Sequence, residues 1–138
     1  MSDNFYLDAM RNNTVRYHSE LNEIRDLLKA RNLSPLEYRA AERSLQISIE
    51  ASIGIAKHWC KHLAGFSPAE AYQSFEYLSQ KGVLSLDELT NWRKIVGLRN
   101  ALVHDYLNID PEIVRSIILQ EHYQALFIFI KQGIKALS

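Results

Sequence analysis

Ser44-Leu45-Gln46-Ile47-Ser48-Ile49-Glu50-Ala51-Ser52-Ile53-Gly54-Ile55 is the stretch on which the fold turns. Its apolar residues fall on every second position, as they do in a half-buried strand. Leu45, Ile49, Ala56, Trp59 and Leu63 also fit one face of a helix. The helical reading prevails, because no turn residue except Gly54 interrupts the run and its flanks are helix-compatible. A helix over about 35–64 that is apolar on two sides belongs at the centre of a bundle.

The flanking sequence supplies helix boundaries. Ser34-Pro35-Leu36-Glu37, Ser67-Pro68-Ala69-Glu70 and Ser85-Leu86-Asp87-Glu88 each pair a capping serine with a glutamate three residues later. Asp110-Pro111-Glu112 adds a fourth start, with Pro at the tolerated first helical position. A first helix over 4–31 follows from Met10, Tyr17, Leu21, Ile24 and Leu28, spaced by three, four or seven. A short third helix over 68–80 stops at Lys81-Gly82, where Gly can close it in the left-handed conformation. The fourth runs from Leu86 to about His104, the fifth from Pro111 to the C-terminus. Five Gly and three Pro in 138 residues leave few sharp turns. The expected fold is all-α, an up-down bundle of four main helices plus a short extra one, forming a single domain over 1–138.

Sixteen Lys+Arg balance sixteen Asp+Glu. A whole-molecule positive field is thereby excluded, and any nucleic-acid contact has to be local. The lone Cys60 makes no internal disulfide, so a cytoplasmic location is the default. The longest wholly apolar run, Ala125 to Ile130, falls far short of the roughly 20 residues that span a bilayer, so no membrane is expected.

Among five His residues, His58 and His62 sit four apart with Cys60 between them, as two corners of a zinc site would. No third ligand at matching spacing and no HExxH pattern accompanies them, so neither metal nor cofactor is assigned. His18 and His122 read as surface or satisfied side chains. His104 stands in Arg99-Asn100-Ala101-Leu102-Val103-His104-Asp105-Tyr106. At about 100° per residue, Asn100 and His104 share a helix face while Arg99 and Tyr106 are nearly eclipsed on an adjacent one. Arg can hold a phosphate bidentately, His can move a proton, and Asn can fix either by hydrogen bonds. The set suits phosphodiester chemistry, and it equally suits cations at a helix C-terminus. Arg93 and Lys94 read as solvated charges, and Trp92 as core.

Arg99-Asn100-x-x-x-His104-x-Tyr106 resembles the Arg-x4-His-x-Tyr signature of the HEPN superfamily, specifically its HepT-like toxins. Ala40-Ala41-Glu42-Arg43-Ser44-Leu45-Gln46-Ile47-Ser48-Ile49-Glu50-Ala51 is similar to that family's second helix. Val96-Gly97-Leu98 before the motif and Ile109-Asp110-Pro111 after it fit the catalytic segment and its boundary. The resemblance implies a HEPN-like bundle that pairs as a homodimer, with Arg and His of both protomers lining one cleft. It implies a metal-independent endoribonuclease toxin, neutralised by a minimal nucleotidyltransferase antitoxin that transfers AMP from ATP onto the motif Tyr. Carried onto this chain, Arg99 and His104 are catalytic, Asn100 supports them and Tyr106 is the AMPylation target. The chain has no Gly-Ser loop with paired acids, so the antitoxin is expected to be a separate protein.

Cleaving RNA without metal needs a base for the 2′-hydroxyl proton and an acid for the leaving oxygen, and one motif offers one His. A two-fold axis beside His104 supplies the second. Two rival readings stay open: a non-catalytic, nucleotide-binding subunit of a nucleotidyltransferase, in which Arg99 and His104 grip a phosphate, and a purely structural helical adaptor.

Overall fold

The computed structural model describes residues 2–104 and 108–138. Its elements are α1 (Ser2–Ala30), α2 (Pro35–Ala64), α3 (Ala71–Gln80), α4 (Leu86–His104), α5 (Pro111–Leu119) and α6 (Gln124–Leu137). Among the described residues there is no strand, so the all-α expectation holds.

Helix α2 occupies the centre, packed against α1, α3, α4 and α6. Its strand-like alternation has a physical origin. Three polar positions of the pattern, Ser44, Ser48 and Ser52, are themselves buried, while Glu50 is exposed. Ser48 Oγ donates to Ser44 O at 2.7 Å, Ser52 Oγ donates to Ser48 O at 3.0 Å, and Ser44 Oγ donates to the Glu20 carboxylate at 3.0 Å. A hydroxyl bonded back onto the preceding turn carries no unsatisfied polarity into the core, so both kinds of position can be inside. Ser34 caps α2 reciprocally with Glu37, and Arg31 holds the Glu37 carboxyl down at about 2 by hydrogen bonding.

Two sequence expectations are corrected and one between them is met. Helix α3 begins at Ala71 and not at 68: Glu70 is its N-cap, its N–H bonded to the Gln73 side chain, while Ser67 Oγ is turned to donate to Lys57 O at 2.9 Å. The expected stop at Gly82 is present, with φ of 80° and Val83 N–H bonded to Leu78 O at 2.9 Å. The fifth helix is divided. Glu121 takes a φ of 59°, His122 N–H reaches Ile117 O at 2.9 Å and Glu121 N–H reaches Ile118 O at 3.1 Å. That pair of bonds closes a helix as a left-handed C-terminal cap does, ordinarily with Gly at the strained position. Here Arg25, at 2.7 Å, and Gln124, at 3.1 Å, hold the Glu121 carboxylate instead. Those two bonds keep its pKa below the ordinary carboxylate range.

An aromatic junction fixes α4. Trp92 stacks on Phe75 of α3 at 4.2 Å between centroids and meets Phe129 of α6 at 4.9 Å; Phe129 in turn lies 5.7 Å from Trp59 of α2. Full burial of an aromatic side chain contributes roughly 1.5–3 kcal/mol, so this contact alone sets the rotation of α4. Trp92 and Val96 face inward, which turns Arg93, Gly97, Asn100 and His104 to the exterior.

Tyr6 stacks on His58 at 4.0 Å, and its buried hydroxyl has no hydrogen-bond partner. Burial raises the Tyr6 pKa to about 12. A folded pKa above the unfolded one means that the contribution is fully present below about pH 10 and is lost as pH rises towards 12. Tyr6→Phe keeps the stack and removes the orphan. Urea unfolding should therefore show the variant more stable by about 1 kcal/mol at pH 7, with a wider margin at pH 11. An equal or lower midpoint would mean that the hydroxyl has a partner.

Candidate active site

The last three turns of α4 carry the expected residues. Leu102 is buried and anchors this end, while Leu98 and Ala101 are half-buried beside it. Asn100 and His104, four positions apart, are both exposed on one face, as the periodicity predicts. Arg99 lies on a different flank, about 140° around the helix from His104. It is half-buried, and its Nε is a buried donor with no hydrogen-bond partner among the described residues. Asp105 and Tyr106 lie outside the described residues.

An unpaired buried guanidinium N–H is costly, roughly 1–3 kcal/mol or more for a charged group. A phosphate oxygen would satisfy it, because the guanidinium fork matches phosphate geometry and stays protonated. His104, free of contacts that would fix its ring in the core, is open to a substrate.

The other side of α4 borders an apolar groove of about 560 Å³. Ile95 and Leu98 line it from α4, Ile113 and Ile117 from α5, and Ala125 and Ile128 from α6. Ile113 and Ile128 are exposed on its lips at 50% and 59%. Neither Arg99 nor His104 lines it, and Asn91, Lys94, Glu121, His122 and Tyr123 supply its polar groups.

Of the other histidines, His62 is exposed and three are engaged. His58 Nδ1 donates to Gly54 O at 3.0 Å while its ring stacks on Tyr6. His18 pairs with Gln124 Oε1 at 2.6 Å and stacks on Phe127 at 4.2 Å. His122 meets Gln120 Oε1 at 2.9 Å. Burial pushes the Cys60 thiol pKa up, and its Sγ–H donates to Ser74 O at 3.3 Å, so it is a packing residue and no nucleophile.

Residues 7–133 match one family profile, ribonuclease HepT-like. The chain belongs to the HepT-like ribonuclease family. Among HepT-like relatives, it is 34% identical over 87 residues to the mRNA nuclease HepT of Shewanella oneidensis. That match covers 63% of this chain and 65% of the relative, a little less than two thirds of its length. A candidate RNase of Archaeoglobus fulgidus is 30% identical over 115 residues, covering 83% of this chain and 82% of that protein. The bundle also superposes on a solved tri-AMPylated HEPN toxin of Shewanella oneidensis in complex with an MNT antitoxin. The TM-score is 0.73 and the identity 26%, over 92% of this chain and 97% of that one. The family resemblance carried by the Arg99–Tyr106 string is thus borne out. Among the described residues, no helix is long and apolar enough to cross a membrane.

Proposed function

We propose that this chain is a metal-independent endoribonuclease, the toxin of a toxin–antitoxin pair, acting in the cytoplasm as a homodimer of single-domain subunits. The observation that carries the reading is that Arg99 Nε is buried with no hydrogen-bond partner among the described residues, five positions along α4 from the exposed His104. A guanidinium can hold a phosphate and an exposed imidazole can carry a proton. Membership of the HepT-like family and the likeness to a HEPN toxin bound to its antitoxin support the same reading.

In the proposed reaction His104 of one subunit takes the proton of the substrate's 2′-hydroxyl, and that oxygen attacks the adjacent phosphorus. His104 of the partner subunit protonates the departing 5′-oxygen, leaving a 2′,3′-cyclic phosphate and a free 5′-hydroxyl. The paired Arg99 side chains stabilise the charge that develops on the phosphorane oxygens, and Asn100 orients imidazole or substrate. A nucleotidyltransferase antitoxin, a separate chain using ATP, is proposed to silence the toxin by placing AMP on Tyr106.

The test is incubation of total cellular RNA with the purified protein in excess EDTA, its unmodified state verified by intact mass. Cleavage is expected, with cyclic phosphate ends, and it should stop after the same preparation is treated with the antitoxin and ATP. Intact RNA, or cutting that appears only when a divalent metal is added, would overturn the proposal.

A further inference from the structure

Arg93, Gly97, Asn100 and His104 follow one another along α4 at spacings of four, three and four, so they lie within about 60° of each other on the helix. All four are exposed. The two acidic residues of α4, Asp87 and Glu88, stand about 100° or more away from the midline of this face, which therefore presents only neutral and cationic groups.

Gly97 has no reason to be there that this chain provides. Gly weakens a helix interior relative to Ala. A Cβ built on Gly97 would meet nothing within 4 Å, so no neighbour requires its absence. Gly133 of α6 is the contrast, since a Cβ there would run into Ile55. What Gly97 leaves room for is outside the chain. At the far end of the face the Arg93 guanidinium lies over the Tyr72 ring of α3 at 5.6 Å from the centroid. Stacking of this kind holds the guanidinium plane still and leaves its edge N–H donors free for a phosphate. The sequence alone makes Arg93 one more solvated charge; its seat on Tyr72 makes it a placed one.

We propose that this face of α4 is a track for single-stranded RNA, leading from the reacting phosphate at His104 and Asn100, across Gly97, to a second phosphate held by Arg93. Its span of eleven residues is about 16 Å, room for more than one nucleotide. The absent side chain at Gly97 lets the sugar–phosphate backbone lie against the helix. The track rests on the ribonuclease reading and adds a binding subsite to it. A protein helix is the less suitable occupant, because it would have to cover Arg93, Asn100 and His104 while an apolar surface, the groove lined by Ile95 and Leu98, lies on another flank.

Binding of a short 2′-O-methyl RNA oligonucleotide, which has no 2′-hydroxyl to react, tests this by fluorescence anisotropy over a range of salt concentrations. Gly97→Gln should fold at least as stably as the parent and bind about tenfold more weakly. Arg93→Gln should weaken binding and reduce the slope of log K against log salt by about 0.7, the value for one lost contact to a single strand. Unchanged affinity in Gly97→Gln, or an unchanged slope in Arg93→Gln, would remove the track. So would a change of oligomeric mass in Gly97→Gln at unaltered RNA affinity, which would assign the face to a protein contact. No binding by the parent protein would sink the ribonuclease reading itself, a result distinct from binding that the variants leave untouched.

Discussion

Replacing Arg99 with Lys should lower the single-turnover rate of RNA cleavage by about 10²–10³-fold, the range seen when one donor to a developing oxyanion is lost. Lys keeps the charge and loses the fork, and only the fork places one N–H in the buried position that Nε holds. Arg99→Ala should be at least as inactive, and it carries a second signature. An unsatisfied buried donor destabilises the free protein, so its removal should leave unfolding free energy unchanged or raised by about 1 kcal/mol. Lost activity with gained stability is what a strained binding group predicts; lost stability would mark Arg99 as a structural residue. His104→Ala should fall by about 10²–10⁴-fold, the usual weight of a general acid or base, with no cost in stability, because the side chain is exposed. If both imidazoles of the dimer share the work, dimers with one His104→Ala subunit should cut far more slowly than the parent. Equal rates per dimer would refute that division of labour.

The sequence carried the architecture because helical period and capping chemistry are local. The capping boxes at Ser34 and Ser85 and the cap at Asp110 are formed with the partners their spacing predicts. The alternating stretch of α2 was decidable against a strand only through its flanks, since buried Ser44, Ser48 and Ser52 counterfeit the polar half of the pattern. The break between α5 and α6 left no trace in composition. Its left-handed residue is Glu121, held by Arg25 from α1, a partner 96 residues away that local pattern cannot supply. Ser67 does not cap α3, its hydroxyl being turned to Lys57 O ten residues earlier. At the site, the shared face of Asn100 and His104 follows from the helical period alone. The orphaned Nε of Arg99 does not, since burial of one atom depends on what packs around it. Gly97 was readable as an oddity in a helix, but its meaning required the empty space beside it.

Gly133→Ala should be among the most damaging single-methyl additions to the fold. A Cβ at this position would overlap Ile55 Cγ2 and touch Trp59 Cε3 at 3.4 Å, where α6 crosses α2. Ile55 is wholly buried, and a β-branched side chain in a helix has essentially one χ1 rotamer to occupy, so it cannot swing aside. Relief has to come from moving α6, which carries Phe129 and with it the contact that sets Trp92 and the rotation of α4. Overpacking of this kind costs about 1–3 kcal/mol, against which the better helix propensity of Ala returns up to about 1 kcal/mol. A net loss of about 1–2 kcal/mol is expected in urea unfolding. The origin is checked by a double-mutant cycle, because Ile55→Ala deletes the colliding Cγ2. In that background Gly133→Ala should become neutral or stabilising, giving a coupling of about 1–3 kcal/mol between the two sites. Additive effects would show that the crossing is looser than the geometry makes it. Any fall in RNA cleavage by Gly133→Ala at temperatures where it stays folded would then measure how far α4 must be held in its rotation for Arg99 and His104 to work.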